Sequence, residues 1–551
     1  MSRREKERHH REARERTKPM QIAPNTAGLL PLQTPINPNE LIHAVNEELS
    51  DLWSMHDWLS NMEHGFVLPE GSFSFDILDD PSPGNENISP ISYPPPFQPL
   101  KAIDNVGRDD VVFQDNYYTQ GYVTLHFPSL RRSKPWKLSP SEKLAVEHYK
   151  KTLSLKFTTK HPTWSTQQIY ICLGAQDPLI MHLLLAISFR DLFFQDNENN
   201  ELHDLAQKHF RAGIGRLLTA IAEEDSPHHL SIMSAFWFLY MLGSSQIHAG
   251  IGTMVLLSRV VCDYVQKHVA GLLDIDPLKR PRSDTNPQPS FYIRDQSLLA
   301  RVTIWMFYAD VGFCFCYRGG DLARYLCTDT RNISKIVDMG RSVLALNWDQ
   351  EYPADQAADD DQNLEVLDLL WKSAVMCQAV NDLDQNSPSE EIEQQFCELE
   401  QTYSAIFQLA AIDLEARPRF LVNADWILSY FYAIRIYHFR YAVKNEDRNT
   451  RPKVVKRALK SLLNISQRTF AKSDEEHYER LHWPLFMAGI ETSDPIHREW
   501  ILEKLSPGRF RTVMEKVLKI QHLSGTRVSM SLIREMCSKG GDAPRVAFLG
   551  F

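Results

Sequence analysis

From residue 138 onward, apolar residues recur at three- and four-residue intervals, broken by short polar segments. Ser139-Pro140-Ser141-Glu142 is a capping box with proline at the first helical position, and Leu144, Val146, Tyr149 and Leu153 follow it at near-helical spacing. The same signal recurs at Ser387-Pro388-Ser389-Glu390. Asp177-Pro178, Ser226-Pro227, Asp494-Pro495 and Ser506-Pro507 give shorter versions of it. Helices are predicted over 178–194, 201–222, 227–242, 252–268, 296–317, 363–382, 390–411, 424–443 and 452–472. The starts follow no fixed period, which excludes a simple repeat array. No run of short alternating strands with hairpin turns appears. Residues 138–551 therefore read as one large all-α, multi-helix domain, with the acidic stretch 355–361 expected as a surface loop interrupting it.

One segment imitates a membrane span, since residues 226–258 carry no Asp, Glu, Lys or Arg. Its apolar part, 230–242, is too short to cross a bilayer and breaks at 243–250 before resuming at Ile251. Two buried helices joined by a turn are expected there instead.

Ahead of the helical pattern the texture changes. Of the 31 prolines in the chain, 15 lie within 19–137, a density that removes backbone donors and fixes φ. This zone reads as a mostly disordered linker. Within it, residues 40–80 interleave Leu49, Leu52, Trp53, Met55, Trp58 and Leu59 with Glu47, Glu48, Asp51 and Asp57. Phe73, Phe75, Ile77 and Leu78 repeat that texture beside Asp76, Asp79 and Asp80. Two readings stand: an acidic-hydrophobic recruitment segment, or a short amphipathic helix docked on the body.

Charge sharpens the division. The 551-residue chain has a net charge of −10, which argues against a surface that coats nucleic acid along its whole length. Residues 1–18, however, hold eight basic side chains (Arg3, Arg4, Lys6, Arg8, Arg11, Arg14, Arg16 and Lys18) against four acidic ones. This basic tail reads as a DNA-contacting segment, a nuclear import signal or a solubilising tail. No heptad zipper follows it, so a dimeric basic-zipper arrangement is unsupported. Arg131, Arg132 and Lys134 form a weaker basic cluster. The charged N-terminus lacks the apolar stretch of a secretory signal, and the eight cysteines sit mostly in apolar runs, so a reducing intracellular setting is expected.

Catalytic motifs do not emerge. Gly213-Ile214-Gly215 lies inside a helical pattern and cannot form a phosphate-cradling loop after a strand. Asp359-Asp360-Asp361 with Asn381-Asp382-Leu383 imitates a magnesium-binding pair of an isoprenoid cyclase. Gln385 and Ser389 stand where that motif needs a hydroxyl and a carboxylate, and the two clusters are close in sequence. Cys314 and Cys316 fall on opposite faces of a helix and cannot share a metal. His9-His10 and His228-His229 have no matching pair nearby in sequence. No metal, cofactor or catalytic residue is therefore assigned. An aromatic and methionine stripe (Trp237, Phe238, Tyr240, Met241, Trp305, Met306, Phe307, Tyr308) reads as core, with a ligand pocket as the alternative.

Several segments, in order, resemble the helical regulatory domain of fungal zinc-cluster transcription factors. They are Leu138 to Tyr149 with its terminal His148-Tyr149, Asp177-Pro178 to Ser188, His209-Phe210-Arg211-Ala212-Gly213, Trp483-Pro484-Leu485-Phe486-Met487-Ala488-Gly489-Ile490-Glu491, and Arg498-Glu499-Trp500-Ile501. The resemblance spans about 138–505. It implies an all-α body that regulates transcription in the nucleus, dimerises or contacts co-regulators and transcription machinery, and has no catalytic centre. In that family a separate module with six cysteines holding two zinc ions reads DNA. Here the first cysteine is Cys172, so no DNA-reading residue carries over. Either the chain acts without its own cluster or its N-terminus is incomplete. The expected function is a fungal-type transcriptional regulator, with a metabolic or secondary-metabolite gene set as a candidate target. An all-α small-molecule-binding protein or enzyme is the alternative.

Overall fold

The computed structural model describes residues 137–539, apart from 197–198, 223–227, 245–250, 274–288, 317–318, 384–388, 413–416, 443–450, 473–478 and 506–507. The basic tail 1–18, the segment 40–80, the rest of the proline-rich linker and the 131–134 basic cluster lie outside the described residues. So do the Ser226-Pro227, Ser387-Pro388 and Ser506-Pro507 start signals.

The described elements are helices, as the hydrophobic pattern requires. They are α1 (Pro140–His148, extended through Phe157 by a π-turn), α2 (Thr166–Gln176), α3 (Pro178–Gln195), α4 (Asn200–Ala222), α5 (His229–Ser244), α6 (Ile251–Tyr264) and α7 (Pro289–Phe315). Three shorter ones follow, α8 (Asp321–Cys327), α9 (Thr330–Arg341) and α10 (Val343–Trp348), then α11 (Ala354–Asn381), α12 (Ser389–Thr402), α13 (Ser404–Ala411), α14 (Arg419–Ala442) and α15 (Lys453–Lys472). The described residues end with α16 (His482–Glu491), α17 (Pro495–Lys504), α18 (Arg509–Ser524) and α19 (Met530–Lys539).

The sequence signals act through their expected chemistry. Ser139 and Glu142 form the reciprocal capping box at α1, with the Ser139 amide donating to the Glu142 carboxylate at 2.6 Å. Asp177 and Asp494 accept from the amides of Leu179 and Ile496, at 2.8 and 2.9 Å, just ahead of Pro178 and Pro495. Both caps satisfy amides that the first helical turn leaves without an internal acceptor.

The acidic stretch 355–361 is not a loop. It forms the first two turns of α11, which starts behind Pro353. Carboxylates are favoured at a helix N-terminus by the macrodipole, and two of these are also neutralised: Asp359 and Asp360 pair with Arg419, and Asp360 also pairs with Lys160. The predicted helix 390–411 is in fact two. Tyr403 leaves helical geometry between α12 and α13 (φ −102°, ψ 24°), its hydroxyl donating to Asp368 of α11 and accepting from Lys372 at 2.6 Å.

Long apolar helices pack through the middle of the body. α7 lies against α5, α9 and α11, and α14 lies against α11, α15 and α16. α3 and α7 contain spans long and apolar enough to cross a membrane by length and composition, but most of each span is buried inside the fold. The aromatic stripe of α5 and α7 is core: Trp237 meets Trp305 with ring centroids 5.3 Å apart, and all eight of its residues are buried. Cys314 and Cys316 are likewise buried. α3 and α4 approach closely at Gly213, where an added Cβ would stand 2.7 Å from Leu183 Cδ2. That contact gives a physical reason for the His209–Gly213 segment.

Histidines are held neutral in two places. His182 Nδ1 lies 3.0 Å from His209 Nδ1 between α3 and α4, and burial pulls His182 down to about 4. His229 lies 2.8 Å from the Tyr264 hydroxyl and packs on His268, and burial pulls it down to about 4 as well. Below an unfolded-state value of about 6.5 the unfolded chain binds protons that these sites refuse, so stability falls as pH drops from about 6.5 towards 4. Urea titrations at pH 7 and pH 5 are expected to show a lower midpoint at pH 5. His182→Phe together with His229→Phe is expected to flatten that difference.

Candidate functional site

Five cationic side chains from distant parts of the chain converge on one cavity of about 100 Å³. Lys160 comes from the turn after α1, Arg301 from α7, Arg341 from the end of α9, Arg419 from the start of α14, and Arg480 from the turn before α16. Ser165, Thr166 and Gln167 at the N-terminus of α2 line a further part of the wall, and Trp305, Leu344 and Trp426 supply apolar surface.

Three of these cations are matched by carboxylates. Lys160, 5% exposed, donates to Asp360 and to the Gln356 carbonyl at 3.2 Å. Arg419 pairs with Asp359 and, at 3.4 Å, with Asp360. Arg341 pairs with Asp338 and Asp368, each at 3.0 Å. Tyr352 also donates to Asp360.

Arg301 and Arg480 are different. Arg301 donates through Nε and an Nη to the Gly340 carbonyl, at 3.1 and 2.8 Å, and forms no ion pair among the described residues. Arg480, 4% exposed, donates to the Lys156 carbonyl at 3.2 Å and stacks on Trp426 at 5.2 Å, again with no ion pair. Burial pulls the Arg480 guanidinium down to about 9 and Arg301 below its usual value. An arginine does not give up its proton in a protein, so these depressions mark charges that the fold compensates poorly. Gln167 is 1% exposed; its Oε1 accepts from Tyr149 at 2.6 Å, while its Nε2 has no acceptor among the described residues. Arg341 Nε and Arg480 Nε are buried without an acceptor too.

A second polar centre is charge-paired around one carboxylate. Glu491 at the end of α16 is fully buried and takes Arg440 at 2.8 Å, Arg451 at 2.5 Å and Arg527 at 3.1 Å. Arg440 also donates to the carbonyls of Ile490 and Val528. In a third centre Arg534 donates to the carbonyls of Cys314, Phe315 and Asn381, capping the C-termini of α7 and α11 together. At the start of α8, Ser258 Oγ accepts from the amides of Gly320 and Asp321, with Gly320 at φ +104°, a conformation that favours glycine.

The sequence-derived DNA-contacting residues, Arg3 to Lys18, lie outside the described residues. No group of three or more His, Cys, Asp or Glu side chains is placed to hold a metal ion among the described residues. Of the aromatic stripe, only Trp305 reaches the cavity wall. The cavity's cations carry no signal readable along the chain: Lys160 and Arg480 are 320 positions apart and share no motif.

A family model described as the fungal specific transcription factor domain matches residues 346–535. That stretch runs from α10 into α19 and contains Glu491, Arg534 and the 483–491 and 498–501 segments. The family-like segments at 138–149, 177–188 and 209–213 precede it. No curated protein and no solved structure matches the chain.

Proposed function

Because the chain carries a fungal specific transcription factor domain over residues 346–535, we propose that it is a nuclear transcriptional regulator without catalytic activity. The observation that carries this reading is the domain match itself, placed on an all-α body. In this reading the regulatory body extends over 138–551. Arg534 supports that extent, since it lies inside the matched stretch but binds carbonyls of Cys314 and Phe315 outside it. The body contacts co-regulators or a second copy of the chain, the segment 40–80 recruits transcription machinery, and the basic tail supplies DNA contact or import. Profiling transcripts in a strain lacking the gene tests the reading. A defined set of transcripts should change and be restored by the intact chain but not by a chain with a collapsed body. An unchanged profile would count against it.

The tail makes a separate prediction. Arg3, Arg4, Lys6, Arg8, Arg11, Arg14, Arg16 and Lys18 would contact phosphates and not base edges, so binding should be modest, independent of sequence and steeply salt-dependent. A fluorescence titration on duplex DNA should lose affinity sharply as salt rises, and removal of residues 1–18 should abolish it. Affinity that is equal at low and high salt would exclude phosphate-driven contact.

A further inference from the structure

The cavity holds more positive charge than the protein neutralises. Lys160, Arg341 and Arg419 each face a carboxylate, whereas Arg301 and Arg480 donate only to backbone carbonyls. Burying a charge without a counter-charge is costly, and buried charges are normally paired. Unused donors accompany the surplus: Gln167 Nε2, Arg341 Nε and Arg480 Nε are all buried, belong to side chains that line the cavity, and have no acceptor among the described residues. Thr158, Thr159, Ser165 and Thr166 add hydroxyls to the same wall. Waters alone could satisfy the amide and the hydroxyls, but they would leave both guanidinium groups without an ion-pair partner, since Asp360 and Glu479 act on Arg301 and Arg480 only from beyond salt-bridge distance.

We propose that this cavity is a binding site for a small, oxygen-rich dianion, of the size of inorganic phosphate or a four-carbon dicarboxylate. Two guanidinium groups that lack a salt-bridging carboxylate favour a ligand with a negative charge for each of them. Planar guanidinium forks suit carboxylate and phosphate oxygens, which accept two bonds side by side. The volume of about 100 Å³ exceeds the space of one water, roughly 10–15 Å³ on the same measure, several-fold and is too small for a nucleotide. Lys160, Gln167, Arg301 and Arg341 precede the matched family stretch, and Asp360, Arg419 and Arg480 lie within it. A bound dianion therefore ties the two parts of the body together. The inference stands on the cavity alone and does not rest on the regulatory reading.

Isothermal titration of the full chain in phosphate-free buffer at low ionic strength tests it, with inorganic phosphate, succinate, acetate and neutral dimethyl succinate as probes. One-site saturable binding is expected for a dianion, with acetate weaker by roughly tenfold or more and the neutral ester silent. Tighter binding of phosphate than of succinate, or the reverse, identifies the source of the dianion. Arg480→Gln should weaken binding by roughly tenfold or more, while the urea midpoint of the unliganded chain stays level or rises, because the variant removes an unmatched buried charge. A purely structural arginine would give the opposite, a lower midpoint. Gln167→Met, which changes no charge, should weaken binding too and decides the matter if Arg480→Gln fails to fold. No saturable heat with either dianion, or undiminished binding in both variants, would overturn the proposal.

Discussion

Arg534→Ala is expected to destabilise the body by about 4–5 kcal/mol, a third or more of the stability of an ordinary domain. The side chain is 2% exposed, and its guanidinium holds three carbonyls at 2.9–3.1 Å. Two belong to the last turn of α7 and one to the end of α11, where the helix ladder leaves carbonyls without internal donors. Truncation takes this donor away from them, removes a cation from two helix C-termini, and opens a void the size of the side chain. Arg534→Lys should recover little, because one ammonium cannot reproduce a planar fork that reaches two helices at once. Urea unfolding followed by circular dichroism checks this. A loss under about 1 kcal/mol would mean that water or a neighbour satisfies those carbonyls.

Glu491→Gln should be almost as damaging as Glu491→Ala, at about 3–5 kcal/mol. Shape is retained in the amide, but three buried arginines then lose the carboxylate that they share. Arg440, Arg451 and Arg527 approach from α14, from the segment ahead of α15 and from the turn before α19, so the carboxylate pins three parts of the fold to the end of α16. Removing an arginine as well should relieve part of the loss. Glu491→Gln with Arg527→Met is expected to be more stable than Glu491→Gln alone, a sign of coupling that simple loss of packing would not give. Equal or lower stability of the double variant would show that Arg527 acts through its stacking on Phe439 instead.

Helix existence was legible wherever one face stayed polar or a cap announced the start. α3, α4, α14 and α15 begin and end within a few residues of the expected limits, apart from the start of α14, which lies five residues earlier. α2 gave no periodic signal beyond its Ser165 cap: Thr166 through Gly174 is buried on every side, so its apolar positions have no period to read. The first turns of α11 misled for the opposite reason, since an acidic run reads as solvated until its partners, Lys160 and Arg419, are known. Those partners come from elsewhere in the chain, one of them about 200 positions away. The cavity was illegible on the same ground, because its charge balance exists only after elements separated by hundreds of residues have packed together. The 483–491 segment was legible as a pattern while its cause, the three arginines around Glu491, was not.

The regulatory reading is tested most directly by tethering. The full chain, fused to a foreign DNA-binding domain, is placed upstream of a reporter beside the same fusion carrying Arg534→Ala. The account predicts altered reporter expression from the intact chain, in either direction, and a weaker effect from the destabilised variant. An intact fusion that is folded and nuclear yet leaves the reporter at background would contradict the claim that this protein regulates transcription through its helical body.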